Sequence, residues 1–213
     1  RLVGEVLENL VRRRANGVLA GATGSGKTTM LSALLALAGA SERIVCIEEV
    51  RELTPTHPHV VHLQARAANV QAAGAVGLDA LVRAALRMRP DRIVLGEARG
   101  SEIREVLTAL NTGHAGSWFT LHANSVADVP ARLLALGALA GMSTRTVELQ
   151  ASVALDVVVH LRRVDRARRV AQIASIERSP EGGLVVTPVV EVVGGHELPI
   201  TGAWESFHER WLE

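Results

Sequence analysis

The chain has 213 residues, 48% of them hydrophobic and 21% charged, with 23 basic residues against 22 acidic ones. This is enough apolar material for one large domain, and the net charge of +1 makes no bulk electrostatic case for a nucleic-acid or membrane partner. A single cysteine, Cys46, excludes a disulfide framework or a four-cysteine zinc module within the chain, and no apolar run approaches the roughly 20 residues that span a bilayer.

The chain opens at Arg1, already inside an amphipathic helical pattern. Leu2, Val3, Val6, Leu7, Leu10 and Val11 recur at helical spacing. With no initiator Met, this beginning reads as that of a trimmed chain whose preceding domain is missing. Asn16 and Gly17 are expected to end the first helix, and Val18, Leu19 and Ala20 to form a short buried strand. A glycine-rich loop leads into an apolar helix over 27–38. Strands are expected over 43–47, which runs into Glu48 and Glu49, and over 59–63, after a loop marked by Pro55 and Pro58. Residues 64–77, rich in Ala, Gly, Gln and Asn, read as irregular. A helix over 78–88 is broken by Pro90 and Asp91. A strand over 92–95 ends in Gly96 and Glu97, a helix over 101–110 has Ser101 as its N-cap, and a small-residue loop leads to a strand over 118–121.

Strands therefore alternate with helices to about residue 125, the pattern of right-handed βαβ units and a mostly parallel sheet. Residues 126–150 read as helical. After Ala151 the texture changes to β-rich runs over 156–162, 168–176 and 184–191, joined by short turns as an antiparallel meander. The expected organisation is a core over 1–150 with a meander and helical tail over 151–213 of the same domain. In the tail, Trp204, Phe207 and Trp211 share one helix face, read as core or subunit packing.

The loop from 21 to 29 carries the most specific signal. Gly21, Ala22, Thr23, Gly24, Ser25, Gly26, Lys27 and Thr28 match the P-loop pattern at every position, and Thr29 continues it. The glycines let the backbone curl with its N–H groups inward as a nest for anionic oxygens. The helix N-terminus behind the loop adds a favourable dipole. Lys27 can reach β- and γ-phosphates, and the Thr28 hydroxyl suits Mg²⁺. No Asn-Lys-x-Asp segment, the usual guanine reader, occurs, so ATP is preferred.

Hydrolysis needs a carboxylate near Mg²⁺ and one that orients or deprotonates water. Glu97 ends an apolar strand beside a glycine, a Walker-B-like arrangement. Glu48 and Glu49 end another, with Glu52 slightly further on, and the alternative for each is a solvated surface acid. His114 and His122 bracket a third strand, where His122 could sense the γ-phosphate. Arg83 and Arg87 share a helix face near Arg89. That face is either solvated or presents arginines to a phosphate in cis or across a subunit boundary. Arg162, Arg163, Arg166, Arg168 and Arg169 read as a solvated turn.

Taken in order, Gly-Ala-Thr-Gly-Ser-Gly-Lys-Thr-Thr at 21–29, Ile-Glu-Glu-Val-Arg-Glu-Leu at 47–53, Leu-Arg-Met-Arg-Pro-Asp-Arg-Ile-Val-Leu-Gly-Glu-Ala-Arg-Gly at 86–100, Asn-Thr-Gly-His-Ala-Gly-Ser at 111–117 and Thr-Leu-His-Ala-Asn-Ser at 120–125 resemble the type II/type IV secretion ATPases, or traffic ATPases. They look most like the tight-adherence pilus branch (CpaF/TadA type). The resemblance spans about residues 1–190. It implies an α/β, RecA-like P-loop NTPase fold with a mostly parallel central sheet and the C-terminal antiparallel β meander.

By the same resemblance, Lys27 and Thr28 match the Walker A motif, Glu48 the first acid of the Asp box and a metal-side residue, Glu97 the Walker B glutamate as base, and His122 the His box. Arg83 and Arg87 fall where some relatives place phosphate-approaching arginines. The implied cofactors are ATP and Mg²⁺. The implied setting is a cytoplasmic homo-hexamer, held peripherally at the inner membrane by the platform proteins of a pilus or secretion machine, without membrane insertion or a nucleic-acid partner. The second residue of the Asp box is Glu49, where the family carries Asp, and the family's N-terminal domain has no counterpart in the chain. The lack of a four-cysteine insert argues against the type II secretion branch. A conjugative DNA-transfer ATPase of the same superfamily and a nucleotide-gated scaffold with little turnover are the alternatives.

Overall fold

The computed structural model describes residues 1–68 and 74–213. Part of the 64–77 stretch read as irregular, residues 69–73, lies outside the described residues. Gln64 belongs to a strand, and Arg66 forms an isolated antiparallel bridge with Val76.

The elements run α1 (Leu2–Arg12), β1 (Gly17–Gly21), α2 (Lys27–Leu35), β2 (Ile44–Glu48), β3 (Val60–Gln64), α3 (Leu78–Leu86), β4 (Arg92–Ala98), α4 (Ile103–Asn111) and β5 (Trp118–Leu121). A 3-10 turn (Val126–Asp128) then leads to α5 (Val129–Leu139), α6 (Thr144–Ala154), β6 (Val157–Val164), β7 (Ala167–Arg178), β8 (Leu184–Val193), β9 (His196–Pro199) and α7 (Ala203–Trp211). One nine-stranded sheet carries all the named strands in the order β3-β2-β4-β5-β1-β6-β7-β8-β9.

The first six strands of that order pair in parallel, and the last three add on antiparallel. The fold class read from the sequence is therefore the one observed. One refinement concerns β6. The sequence pattern placed this run wholly in the antiparallel meander, yet Val157–Leu161 pairs in parallel with Gly17–Gly21 before turning antiparallel against β7. Its first five residues are buried. A run apolar but for His160 suits a strand covered on both faces, as in the interior of a parallel sheet.

Alternation along the strands splits the core into two. Val18, Val45, Ile47, Ile93, Leu95, Phe119 and Val158 face α3–α6. Leu19, Ile44, Cys46, Val94, Trp118 and Val159 face α1, α2 and α7. The aromatic stripe of the tail belongs to this second core. Phe207 and Trp211 are buried and Trp204 packs against it.

Two local readings change. α1 stops at Arg12, and the chain turns at Arg14 in a left-handed conformation, φ 60°. Asn16 is thus no helix terminus but a stitch. Its amide donates to the Ala154 carbonyl at 2.8 Å, and its side-chain oxygen accepts from the Ser117 N–H at 3.0 Å. The Asp156 carboxylate accepts from the Asn16 N–H at 2.9 Å. Together these bonds join the entrances of β1, β5 and β6. The N-cap of α4 is Glu102, not Ser101, and Glu102 turns back to accept from the N–H groups of Arg99 and Gly100.

At this same entrance end, Arg92 is buried and forms a bidentate pair with Glu42 at 2.8 and 2.9 Å, with further bonds to the carbonyls of Gly116 and Val11. The opposite, C-terminal ends of the parallel strands stay open. Ligands bind at those ends in α/β sheets.

Candidate active site

A cleft of about 460 Å³ opens over the C-terminal ends of β1, β2, β4 and β5, four neighbours in the sheet. Its walls include Thr23, Gly24, Gly26, Lys27, Thr28 and Thr29 from the loop read as a P-loop, and Glu48, Glu49 and Glu52 from the end of β2. Glu97 comes from the last turn of β4 and Arg99 from just past its end, Thr120 from β5 and His122 from just beyond it, and Arg168 from β7.

The loop leaves β1 and enters α2 through backbone that only glycine adopts freely. Gly24 and Gly26 have φ values of 76° and 96°. Gly26 is the residue that caps α2, so the first N–H groups of that helix point at the cleft. Lys27 is buried, and its ammonium donates to the carbonyls of Gly21 at 2.9 Å and Ala22 at 3.1 Å. Burial pulls the Lys27 pKa down while the nearby Glu97 carboxylate opposes the shift. Two of its three N–H donors thus hold the curled loop, leaving donor capacity for an anion in the nest.

Glu97 reaches the cleft by a bulge. Between the pairs Leu95↔Phe119 and Ala98↔Leu121, β4 advances three residues while β5 advances two. The extra residue re-aims a side chain, as bulges beside active sites do. Gly96 is required beside it, because a Cβ there would sit 2.8 Å from Cγ of Glu48. The Gly96 carbonyl accepts from the Thr120 hydroxyl at 2.6 Å. The Glu97 carboxylate is held on one oxygen by Arg99 at 2.5 Å, while His122 Nε2 approaches the other to 2.8 Å without hydrogen-bond geometry. Arg99 also reaches Glu49 at 3.3 Å. Burial and the Lys27 charge push the His122 pKa below its ordinary value, and Glu97 only partly offsets them.

The acids after β2 divide their work. Glu48, expected from the sequence beside the metal, is buried and lines the cleft. One of its oxygens accepts from the N–H groups of both Glu52 and Leu53 at 2.9 Å, and the other faces His62 at 3.7 Å. It clamps the turn that presents Glu52. The carboxylate that meets the Thr28 hydroxyl is that of Glu52, at 3.3 Å.

No group of three or more His, Cys, Asp or Glu among the described residues is arranged to cage a metal unaided. One hydroxyl and one carboxylate at Thr28 and Glu52 nevertheless fit Mg²⁺, which commonly binds through one or two protein oxygens together with substrate phosphates.

Arg83 and Arg87 do not line the cleft. Arg83 is exposed on α3 and pairs with Asp79 and Glu105, each at 2.9 Å. Arg87 is exposed at the end of the same helix. His114 bonds to the Ala109 carbonyl at 3.1 Å and is likewise outside the cleft.

Arg99 is a cleft residue that the sequence pattern did not single out, and Arg168, read there with its neighbours as part of a solvated turn, also lines the cleft. Arg99 could have been found by strand alternation, two residues past Glu97 on the same side. Arg168 could not, because its position depends on where a hairpin from the far end of the chain folds back.

Residues 3–185 match the family model described as type II/IV secretion system protein. A putative conjugal transfer protein of Mycobacterium tuberculosis is 50% identical over 179 residues, covering 83% of this chain and 50% of that protein. The VirB11 protein of Rhizobium radiobacter is 35% identical over 171 residues, covering 78% and 50%. The chain thus spans about half the length of the curated relatives it matches. Among solved structures, the VirB11 ATPase of the Brucella suis type IV secretion system, in complex with sulphate, superposes with a TM-score of 0.67 at 30% identity, over 79% of this chain and 50% of that one. The pilus retraction motor PilT with bound ADP superposes with a TM-score of 0.59 at 26% identity, over 97% and 53%.

Proposed function

From the premise that the chain belongs to the type II/IV secretion system protein family, we propose that it is the ATP-hydrolysing motor domain of a machine for secretion, pilus assembly or conjugation. The observation that supports this most is a convergence in one cleft. Lys27 and Thr28 of the phosphate loop meet Glu52, Glu97 and His122 there, each delivered by one of four adjacent parallel strands.

The roles follow from the contacts. Loop N–H groups and Lys27 hold the β- and γ-phosphates. The Thr28 hydroxyl and the Glu52 carboxylate would hold Mg²⁺, which would supply positive charge against the phosphates. Glu97 orients and deprotonates the attacking water, with Arg99 fixing the carboxylate and His122 beside it. His122, kept neutral by its surroundings, carries a single N–H, and in the ATP-bound site that N–H goes to the γ-phosphate. Glu48 positions the turn that carries Glu52. ATP is the nucleotide, since a guanine-reading segment is lacking.

Residues 1–150 and 151–213 act as core and meander of one ATPase domain, a reading supported by their shared sheet. The working state is a homo-oligomer, most simply a hexamer. In it Arg83 and Arg87, which lie outside the chain's own cleft, approach a neighbour's nucleotide. The setting is the cytoplasmic side of the inner membrane, against platform proteins.

For the finer assignment, the motif set resembles the tight-adherence pilus branch. A second reading, conjugative DNA transfer, is favoured by the names of the 50%-identical mycobacterial relative and of VirB11. Phosphate release from ATP by the purified protein, with and without single-stranded or duplex DNA, tests both. Turnover unaffected by DNA supports pilus assembly or secretion, and strong stimulation supports conjugation. No detectable ATP binding or turnover contradicts the motor reading altogether.

A further inference from the structure

The hairpin of β6 and β7 breaks a rule that sheets otherwise obey. Arg162 lies directly opposite Arg169, and Arg163 directly opposite Arg168. Like charges placed across an antiparallel pair are destabilising, and here two such pairs are adjacent, with Arg166 in the turn between them. The only acid in the segment is Asp165, in the turn itself. Among the described residues, none of the five arginines has an ion-pair partner within 4.0 Å. A local conflict left without compensation is what a binding site looks like before its ligand is considered.

Strand alternation sorts the arginines. Arg162 and Arg169 share one face, above a shallow depression beside Gly194 and Gly195. Arg163 and Arg168 share the other, and Arg168 lines the nucleotide cleft together with Lys27, Thr28, Glu97 and His122. The contact with the phosphate loop is close. A Cβ built on Gly26 would lie 2.9 Å from Cδ of Arg168, so the arginine stem crosses the loop at the residue that caps α2. A hairpin distant in sequence therefore closes the loop from above.

We propose that Arg168 is a phosphate-binding residue of this site in cis, a second fixed cation beside Lys27 held over the loop by the β6–β7 hairpin. The proposal rests on the nucleotide-site reading above. A guanidinium suits the task because its fork of N–H donors matches phosphate oxygens. An anion at that point also relieves the repulsion with Arg163.

The test is the affinity of fluorescent ATP and ADP analogues for the protein and for Arg168→Ala, Arg168→Lys, Arg166→Ala and Lys27→Ala, with adenosine as a competitor and each titration repeated across salt concentrations. Arg168→Ala should weaken ATP and ADP binding roughly tenfold to a hundredfold, the range for a charge-assisted hydrogen bond. It should also flatten the salt dependence and leave adenosine competition unchanged. Arg168→Lys should recover only part of the loss, and Arg166→Ala should bind as the unaltered protein does. Unchanged affinity in Arg168→Ala, or equal weakening in Arg166→Ala, overturns the proposal. If Lys27→Ala also binds normally, it is the phosphate-loop reading that fails.

Discussion

His122 Nε2 lies 2.8 Å from Oε1 of Glu97, although one residue follows β5, the other belongs to β4, and they are 25 positions apart in sequence. The bulge at Gly96 and Glu97 makes this possible by turning the carboxylate toward the end of β5. Arg99 holds its other oxygen, and Oε1, without a hydrogen-bond partner among the described residues, is the one left to accept from a bound molecule.

Glu97→Gln should therefore bind ATP with near-normal affinity but release phosphate at least about 100-fold more slowly, the scale of losing a positioned general base. Steady-state turnover and nucleotide affinity measured on the same preparation check this. Turnover within a few-fold of the unaltered protein would move the base role to Glu49 or Glu52.

The electrostatics of His122 set a pH dependence. Its folded pKa is lowered, first by burial and then by the Lys27 charge, with Arg99 and Arg132 adding to the effect and Glu97 opposing it. The folded state therefore resists a proton that the unfolded chain accepts, and the site is fully formed above histidine's ordinary pKa. Stability and turnover should both fall as the pH drops through that value toward the lowered one. His160, also shifted down by burial, contributes to the stability loss alone. His122→Asn should remove the acidic limb of the turnover profile while leaving acid destabilisation partly in place.

Glu48 and Glu52 should separate cleanly. Glu48→Ala strands the buried N–H of Leu53 and the N–H of Glu52. It should lower stability by about 1–3 kcal/mol for each group left unpaired, read by denaturant unfolding. Glu52→Gln removes a charge beside Thr28. It should leave stability within about 0.5 kcal/mol, as for most surface changes, and raise the Mg²⁺ concentration needed for half-maximal turnover.

The opposite end of the sheet is scaffold. Arg92 is almost completely buried and its bidentate bonds to Glu42 are reinforced by two carbonyls. Burial raises the Glu42 pKa, yet the Arg92 hydrogen bonds, the Gly39 N–H and the charges of Arg92 and Arg14 hold it below the ordinary carboxylate range. Arg92→Ala leaves Glu42 with Arg14 alone, 2.9 Å away, and should cost about 3 kcal/mol, the lower end of the penalty for breaking a buried pair. Thermal unfolding tests this, and the nucleotide affinity of the fraction that remains folded should be unchanged.

Much of this was legible in the residues. The phosphate loop is a contiguous pattern dictated by local backbone geometry, and β1, β2, β4 and β5 announce themselves as short apolar runs closed by Gly, Glu or His. The direction of β6 was harder, because a run such as Val157–Leu161 does not state which neighbour it joins. Its four apolar residues around His160 were the available clue. β9 was signalled by Gly194 and Gly195, both at positive φ in a two-residue hairpin turn, but the strand is short and ends in Pro199. The division of labour between Glu48 and Glu52 depends on hydrogen bonds within a turn, and that of Arg168 on the return of a remote hairpin. Neither leaves a spacing that a single sequence can display.

The central claim is that the loop from Gly21 to Thr29 holds nucleotide phosphates through Lys27, and its most direct test is the ATP affinity of Lys27→Ala in the presence of Mg²⁺. Loss of measurable binding with the fold retained is the expected result. ATP affinity equal to that of the unaltered protein would contradict it.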